Sequence, residues 1–329
     1  METENFAKGV ERLIDPVTVG SIHFLQQFAG LLPRSVQRAV LEQSSRTSPY
    51  MGFVVEPYAF FVFSEVIDEK RASELLPTGF RLARARVFEG DTPVPLACAS
   101  YFRVHTSAFW GARAEFYLIA ENERTGLLSW IIVDYLSDTI SYDRTHALRG
   151  PSSHHAVVTM AADGRVLVDM TGEQGAHSAF SASLAGAQER TLDERLWIEG
   201  NLSVGYGKEL SANHADVFSL TFPPETMARA LEVPLDNLNL EAATWHADII
   251  APKPTRLVCF PYAQHLLSDS PGQASRHTSK TALAHAANSV NFDALRTFSV
   301  GSVRTGMLVS TALSAGLVVA LGLVLAKKR

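Results

Sequence analysis

The sequence predicts a mostly β (α+β) fold: a closed or partly closed β-barrel preceded by N-terminal helices and followed by a single C-terminal transmembrane helix. Three observations predict it. Short β-rich runs separated by glycine, proline and aspartate fill residues 49–267. The segment 1–48 carries apolar residues at helical spacing, and residues 306–326, GMLVSTALSAGLVVALGLVLA, hold no charge.

The barrel rests on candidate strands at 51–66, 80–88, 96–105, 113–121, 127–136, 155–160, 165–170, 196–204, 217–222 and 238–250. In 80–88, Arg84 and Arg86 alternate with Ala83, Ala85 and Val87, as a strand with one wet and one dry face requires. Helices are expected to interrupt the strands at 68–76 and 224–231. In the N-terminal arm, Phe6, Val10, Leu13 and Ile14 share a helix face and Asp15-Pro16 breaks it. A second helical segment, 17–31, ends before Pro33, and a third covers 35–43. Mixed charges along the arm favour packing on the body over lying on a membrane. Residues 268–305 open with SDSPGQASRHTSK, a polar linker, and continue into a short helix at 281–289. The predicted domain limits are therefore 1–48, 49–267, 268–305 and 306–326.

The stretch 306–326 extends ~31 Å as a helix, the thickness of a bilayer's hydrocarbon core. Residues 1–8 lack the basic and apolar regions of a secretory signal. Together these predict a tail anchor, with the bilayer as partner and the preceding domain in the cytoplasm. Ala312, Gly316 and Ala320 form a small-residue stripe that would admit a membrane-protein partner, although a segment this rich in small residues produces such stripes by chance.

Composition excludes several classes. A net charge of -5 gives no footprint for nucleic acid. Two cysteines, Cys98 and Cys259, exclude a disulfide framework and a cysteine-rich metal site. No repeat period stands out. No cofactor is predicted: GNLSVGYG at 200–207 lacks the lysine and hydroxyl of a phosphate-binding loop. His177-Ser178 lacks the glycine pattern of a nucleophile elbow.

The run VIDEKRASELLPTGFRL at 66–82, followed by Ala114-Glu115-Phe116-Tyr117, Tyr135-Leu136 and Asp143-Arg144, resembles the acetoacetate decarboxylase-like family over residues 50–250. The resemblance implies a closed β-barrel around a hydrophobic cavity. It also implies a lysine that forms a Schiff base with a substrate ketone, beside a second lysine that keeps its amine neutral. This chain departs from that pattern. With Glu115 matching the family's glutamate, the lysine pair falls at GPSSHH, 150–155, where His154 and His155 stand instead. No lysine occurs between Lys70 and Lys208, and the further acidic position reads Ser100-Tyr101-Phe102. Lys208, beside Glu209, reads as a surface residue. Schiff-base decarboxylation is therefore not expected.

What the resemblance leaves is a cavity in which Glu115, His154 and His155 are the candidate catalytic groups and Tyr101, Phe102, Trp130 and Arg144 the candidate ligand-binding groups, with Phe109 and Trp110 as further walls. Imidazole titrates near neutrality and serves as acid, base or, with Glu115 and His146, metal ligand. Adjacent histidines on a strand point to opposite faces, so at most one of His154 and His155 faces the cavity. The functional expectation is a tail-anchored protein that binds a small or lipid-derived carbonyl or carboxylate compound without decarboxylating it. The alternatives are a lyase, hydratase or aldol-type enzyme using Glu115 with His154 or His155, and a structural or recruiting subunit of a membrane complex.

Overall fold

Alternation of buried and exposed side chains along extended runs sets the architecture. A computed structural model of the chain describes residues 2–16, 33–37, 39, 51–106, 110–138, 155–161, 163–172, 175–210, 218–268, 277, 279–295 and 300–326. Helix α1 (Glu2–Arg12) comes first, then β1 (Met51–Val55) and β2 (Ala59–Glu65). Next are helix α2 (Glu69–Leu75) and strands β3 (Phe80–Leu82), β4 (Arg84–Ala85), β5 (Val94–Thr106), β6 (Trp110–Asn122) and β7 (Leu128–Ser137). β8 (His155–Met160), β9 (Arg165–Thr171), β10 (His177–Ser183), β11 (Gln188–Thr191), β12 (Val204–Tyr206), β13 (Leu220–Thr221) and β14 (Arg229–Val233) follow. β15 (Leu238–Ala243), β16 (Arg256–Phe260), β17 (Gln264–Ser268), α3 (Lys280–Ser289) and α4 (Val300–Ala326) complete the described elements.

The strands form a 13-stranded sheet and a second sheet ordered β15-β10-β9-β8. β6 lies at the centre, antiparallel to β5 on one side and to β7 on the other. Both of its faces are covered. Phe116 and Leu118 point to the smaller sheet and meet a layer that includes Val166, Val168 and Phe180, while Tyr117 and Ile119 point the other way, into the concave side of the large sheet. α1 buries Phe6 and Val10 beside Leu267 and Ala287, and Phe6 packs edge-on against Phe292 at 5.5 Å. The apolar spacing read in the arm is the spacing that packs. In α2, Asp68 accepts the Arg71 N–H at 3.0 Å and starts the helix.

Several expectations are corrected here. The architecture is mixed α and β, and the sheets do not close into a barrel: among the described residues β12, of three residues, meets the chain just ahead of the two-residue β13 only at the isolated bridge from Val204 to Phe218. So short a junction supplies no continuous ladder. The strand expected at 196–204 is helical over Arg195–Glu199 and Gly200–Leu202, and only its end joins β12. Asp193 accepts the Leu196 N–H at 3.1 Å, and that start signal precedes the apolar run. The helix expected at 224–231 is a single turn, Pro224–Met227, followed by strand β14. The transmembrane helix is also withdrawn. Among the described residues no helix is long and apolar enough to cross a membrane. The bilayer partner, the membrane-protein partner and the membrane localisation fall with it. The segments expected at 17–31 and most of 35–43 lie outside the described residues.

Two details of the fold lend themselves to measurement. At Gly200 a Cβ would lie 2.0 Å from the Trp130 indole, a contact no side chain makes. Gly200→Ala is expected to cost about 1–3 kcal/mol in urea unfolding, as overpacking does; unchanged stability would show that the indole can give way. Asp91 accepts from Arg256 at 3.0 and 3.1 Å and from Arg190 at 3.4 Å. Burial works against its charge, but these arginines and the Phe88 N–H outweigh burial and hold the carboxyl below its ordinary value. Its stabilisation is therefore present above the unfolded carboxylate range and lost as pH falls through the lower folded value. Asp91→Asn is expected to destabilise the protein at pH 7 and to flatten the loss of Tm on acidification below about pH 4; parallel acid profiles for both proteins would contradict this.

Candidate functional site

The concave side of the large sheet encloses a cavity of about 180 Å³. Its wall is built by alternate residues of successive strands, Met51, Phe53 and Val55 from β1 facing Arg113, Glu115 and Tyr117 from β6. The interior is largely aromatic. Trp130 and Trp197 stand with ring centroids 5.3 Å apart, Tyr117 meets Trp130 edge-on at 5.0 Å, and Phe61 meets Trp197 at 5.4 Å. The Trp130 indole N–H donates to the Leu196 carbonyl at 2.9 Å, so the helical turn that replaced an expected strand fixes this wall.

Three polar side chains interrupt the apolar surface in a row. Arg113, Glu115 and Tyr117 sit at every second residue of β6, and so on one face, with exposures of 6%, 8% and 9%. The Arg113 Nε donates to one Glu115 oxygen and the Tyr117 hydroxyl to the other. The guanidinium also lies over the Tyr135 ring, 4.3 Å from its centroid. Burial opposes the Arg113 charge, but the Glu115 carboxylate, with Tyr135 and Tyr206, outweighs burial and raises its pKa above that of ordinary arginine. Burial, followed by the Glu115 charge, pushes the Tyr117 phenol well above its usual range. The row is thus a guanidinium and a neutral phenol converging on one carboxylate, with Asn201 and Gln264 as uncharged polar groups elsewhere on the wall. Gln264 donates to the Met227 sulfur at 3.1 Å.

The residues singled out in the sequence separate into three groups. Glu115, Phe102 and Trp130 line this cavity. Tyr101, next to Phe102 in β5, points to the opposite face, where its hydroxyl meets Ser178 at 2.5 Å and its ring packs on Phe180. Period-two alternation requires that separation. His155 starts β8 on the smaller sheet, where it and His177 hold the two oxygens of Asp169 at 3.1 and 3.0 Å. It is not among the residues lining the cavity. Trp110 packs against His105 at 4.8 Å. Arg144, His146, His154 and Phe109 lie outside the described residues. Among the described residues no group of three or more histidine, cysteine, aspartate and glutamate side chains is set to hold a metal ion. Arg113 and Tyr117 were missed in the sequence reading; the signal available was their even spacing from Glu115 along one strand.

No family model matches the chain, and no curated protein matches it. Among solved structures it is similar to an acetoacetate decarboxylase from Legionella pneumophila, at 12% identity and a TM-score of 0.44, over 69% of this chain and 87% of that one. It is also similar to a second acetoacetate decarboxylase structure, at 10% identity and a TM-score of 0.40, over 70% of this chain and 91% of the other.

The state of Tyr117 can be read spectroscopically. A phenol whose pKa is raised stabilises the fold below its unfolded value, near pH 10, and loses that contribution as pH rises toward its folded value. Tyrosinate absorbance of the folded protein is expected to be the same for Tyr117→Phe and the native chain up to the pH of alkaline unfolding. A smaller signal in the variant before unfolding would place Tyr117 in contact with solvent.

Proposed function

We propose that the cavity binds a small carbonyl or carboxylate compound against Arg113, Glu115 and Tyr117, and that it does so without Schiff-base chemistry. The observation that carries this reading is the row of three buried polar groups on one face of β6, surrounded by aromatic side chains. An apolar pocket with a few convergent polar groups is the common form of a small-ligand site. The described lining of the cavity supports the exclusion of amine chemistry. Among the described residues lining the cavity none is lysine, and Lys208 lies exposed beyond the end of β12. In this reading Phe102 and Trp130 serve as walls, and Arg113 and Tyr117 hold Glu115 in one orientation.

A second reading has Glu115 as a proton-transfer group for a carbonyl substrate, because the Tyr117 hydroxyl bonded to its carboxylate gives a proton path from the cavity wall. His155, on the smaller sheet, takes no part in that version.

A screen of short ketones, amides and carboxylates by thermal shift is expected to find members that raise Tm by about 2 °C or more at concentrations well above Kd, with the shift lost in Trp130→Ala. No stabilising member would contradict the binding reading. Borohydride treatment in the presence of a β-keto acid is expected to leave the intact mass unchanged, and a covalent adduct would overturn the exclusion of a Schiff base. For the proton-transfer reading, Glu115→Gln should reduce any turnover found with a binding ketone by roughly a hundredfold or more; undiminished turnover would dismiss it.

A further inference from the structure

The charge balance inside the cavity narrows the ligand class. Among the described residues that line it, Arg113 is the one cation and Glu115 the one anion, and they are bonded to each other. Both oxygens of Glu115 are engaged, one by the guanidinium and one by the Tyr117 hydroxyl. The remaining polar groups on the wall, Asn201, Gln264 and Tyr206, carry no charge. From this geometry we infer that the cavity selects neutral carbonyl compounds, such as ketones and amides, over carboxylates of the same shape.

The inference deepens the small-ligand reading and rests on it. A carboxylate entering the cavity gives up its hydration and needs a cation in return. The Arg113 charge is already matched by Glu115, with 7% and 10% of their side chains exposed, so an anionic ligand would either share a neutralised guanidinium or sit beside a like charge. A neutral carbonyl carries no such penalty. It needs one donor for its oxygen, which the Asn201 or Gln264 amide can supply, and an apolar wall for the rest of the molecule, which Phe102, Trp130 and Trp197 provide. The raised pKa of Tyr117 fits this picture, since it keeps a second anion out of the cavity.

The inference also makes the arginine's role conditional. Glu115 acts as the built-in counter-ion that occupies the guanidinium. Removing the Glu115 charge while keeping its shape takes away that counter-ion and shifts the balance toward a ligand anion.

The test uses the full-length protein and the matched pair hexanamide and hexanoate at pH 7, followed by calorimetry and by the fluorescence of Trp130 and Trp197 at the cavity wall. The native chain is expected to bind hexanamide at least about tenfold more tightly than hexanoate. In Glu115→Gln the order should reverse, with hexanoate gaining affinity. Equal or tighter binding of hexanoate by the native chain would overturn the selectivity and leave the small-ligand reading standing. If neither compound binds and the wider ketone and amide screen also fails, the small-ligand reading fails and the selectivity falls with it. The native comparison decides the matter even where a variant does not fold.

Discussion

The rest of the site depends on β6 being buried on both faces. Over residues 112–120 it runs between a sheet-to-sheet interface on one side and the cavity on the other, so each side chain there is buried in a packed core or against the cavity. Two charged groups so far removed from bulk solvent are held at least cost when they satisfy each other. Arg113 and Glu115 meet that constraint two residues apart on the same face, and Tyr117 completes it by taking the second carboxylate oxygen. Much of the cost of holding charge there is offset inside one strand, and Tyr135 of β7 and Tyr206 of β12 add to that offset. This places the polar centre of the cavity on a strand held between two long antiparallel neighbours.

The aromatic wall depends on a different device. Residues 195–202 fold as a helical turn across the cavity, and Trp130 slots against it so closely that position 200 admits no side chain atom. The indole N–H and the Leu196 carbonyl lock the two together. Polar and apolar parts of the site are therefore fixed by separate local rules, a period-two strand and a glycine-dependent contact, that converge only in the tertiary structure.

That convergence explains what could be read from the sequence. β8 was legible as 155–160 and α2 as 68–76, because each combines a strong internal pattern with a clear boundary signal. The run 224–231 reads as helix, and Ala228, Ala230 and Leu231 in it are good helix formers, but over Arg229–Val233 pairing with β11 and β16 and the Arg190 contact to Glu232 at 2.8 Å override propensity. The barrel expectation followed from strand number and composition; whether a curved sheet closes depends on ladder length at its ends, and β12 and β13 are too short to reveal that in sequence. In the site, Glu115 was legible through a family resemblance. Arg113 and Tyr117 required one further step, that a strand buried on both faces puts its even-spaced polar residues in contact. Tyr101 and Phe102 are adjacent in sequence and read as one group, although neighbours on a strand face apart. The tail was read from length and apolarity alone, which the described residues do not sustain as a membrane span.

The central claim is that Arg113 and Glu115 act as one neutralised unit on the cavity wall. A double-mutant cycle on urea unfolding with Arg113→Met and Glu115→Leu tests it most directly. The account predicts strong coupling, with each single change costing more than a half share of the pair and the double change recovering about 1–3 kcal/mol relative to additivity. Additive losses within the error of the cycle would show that the two charges are stabilised independently, and would contradict the account.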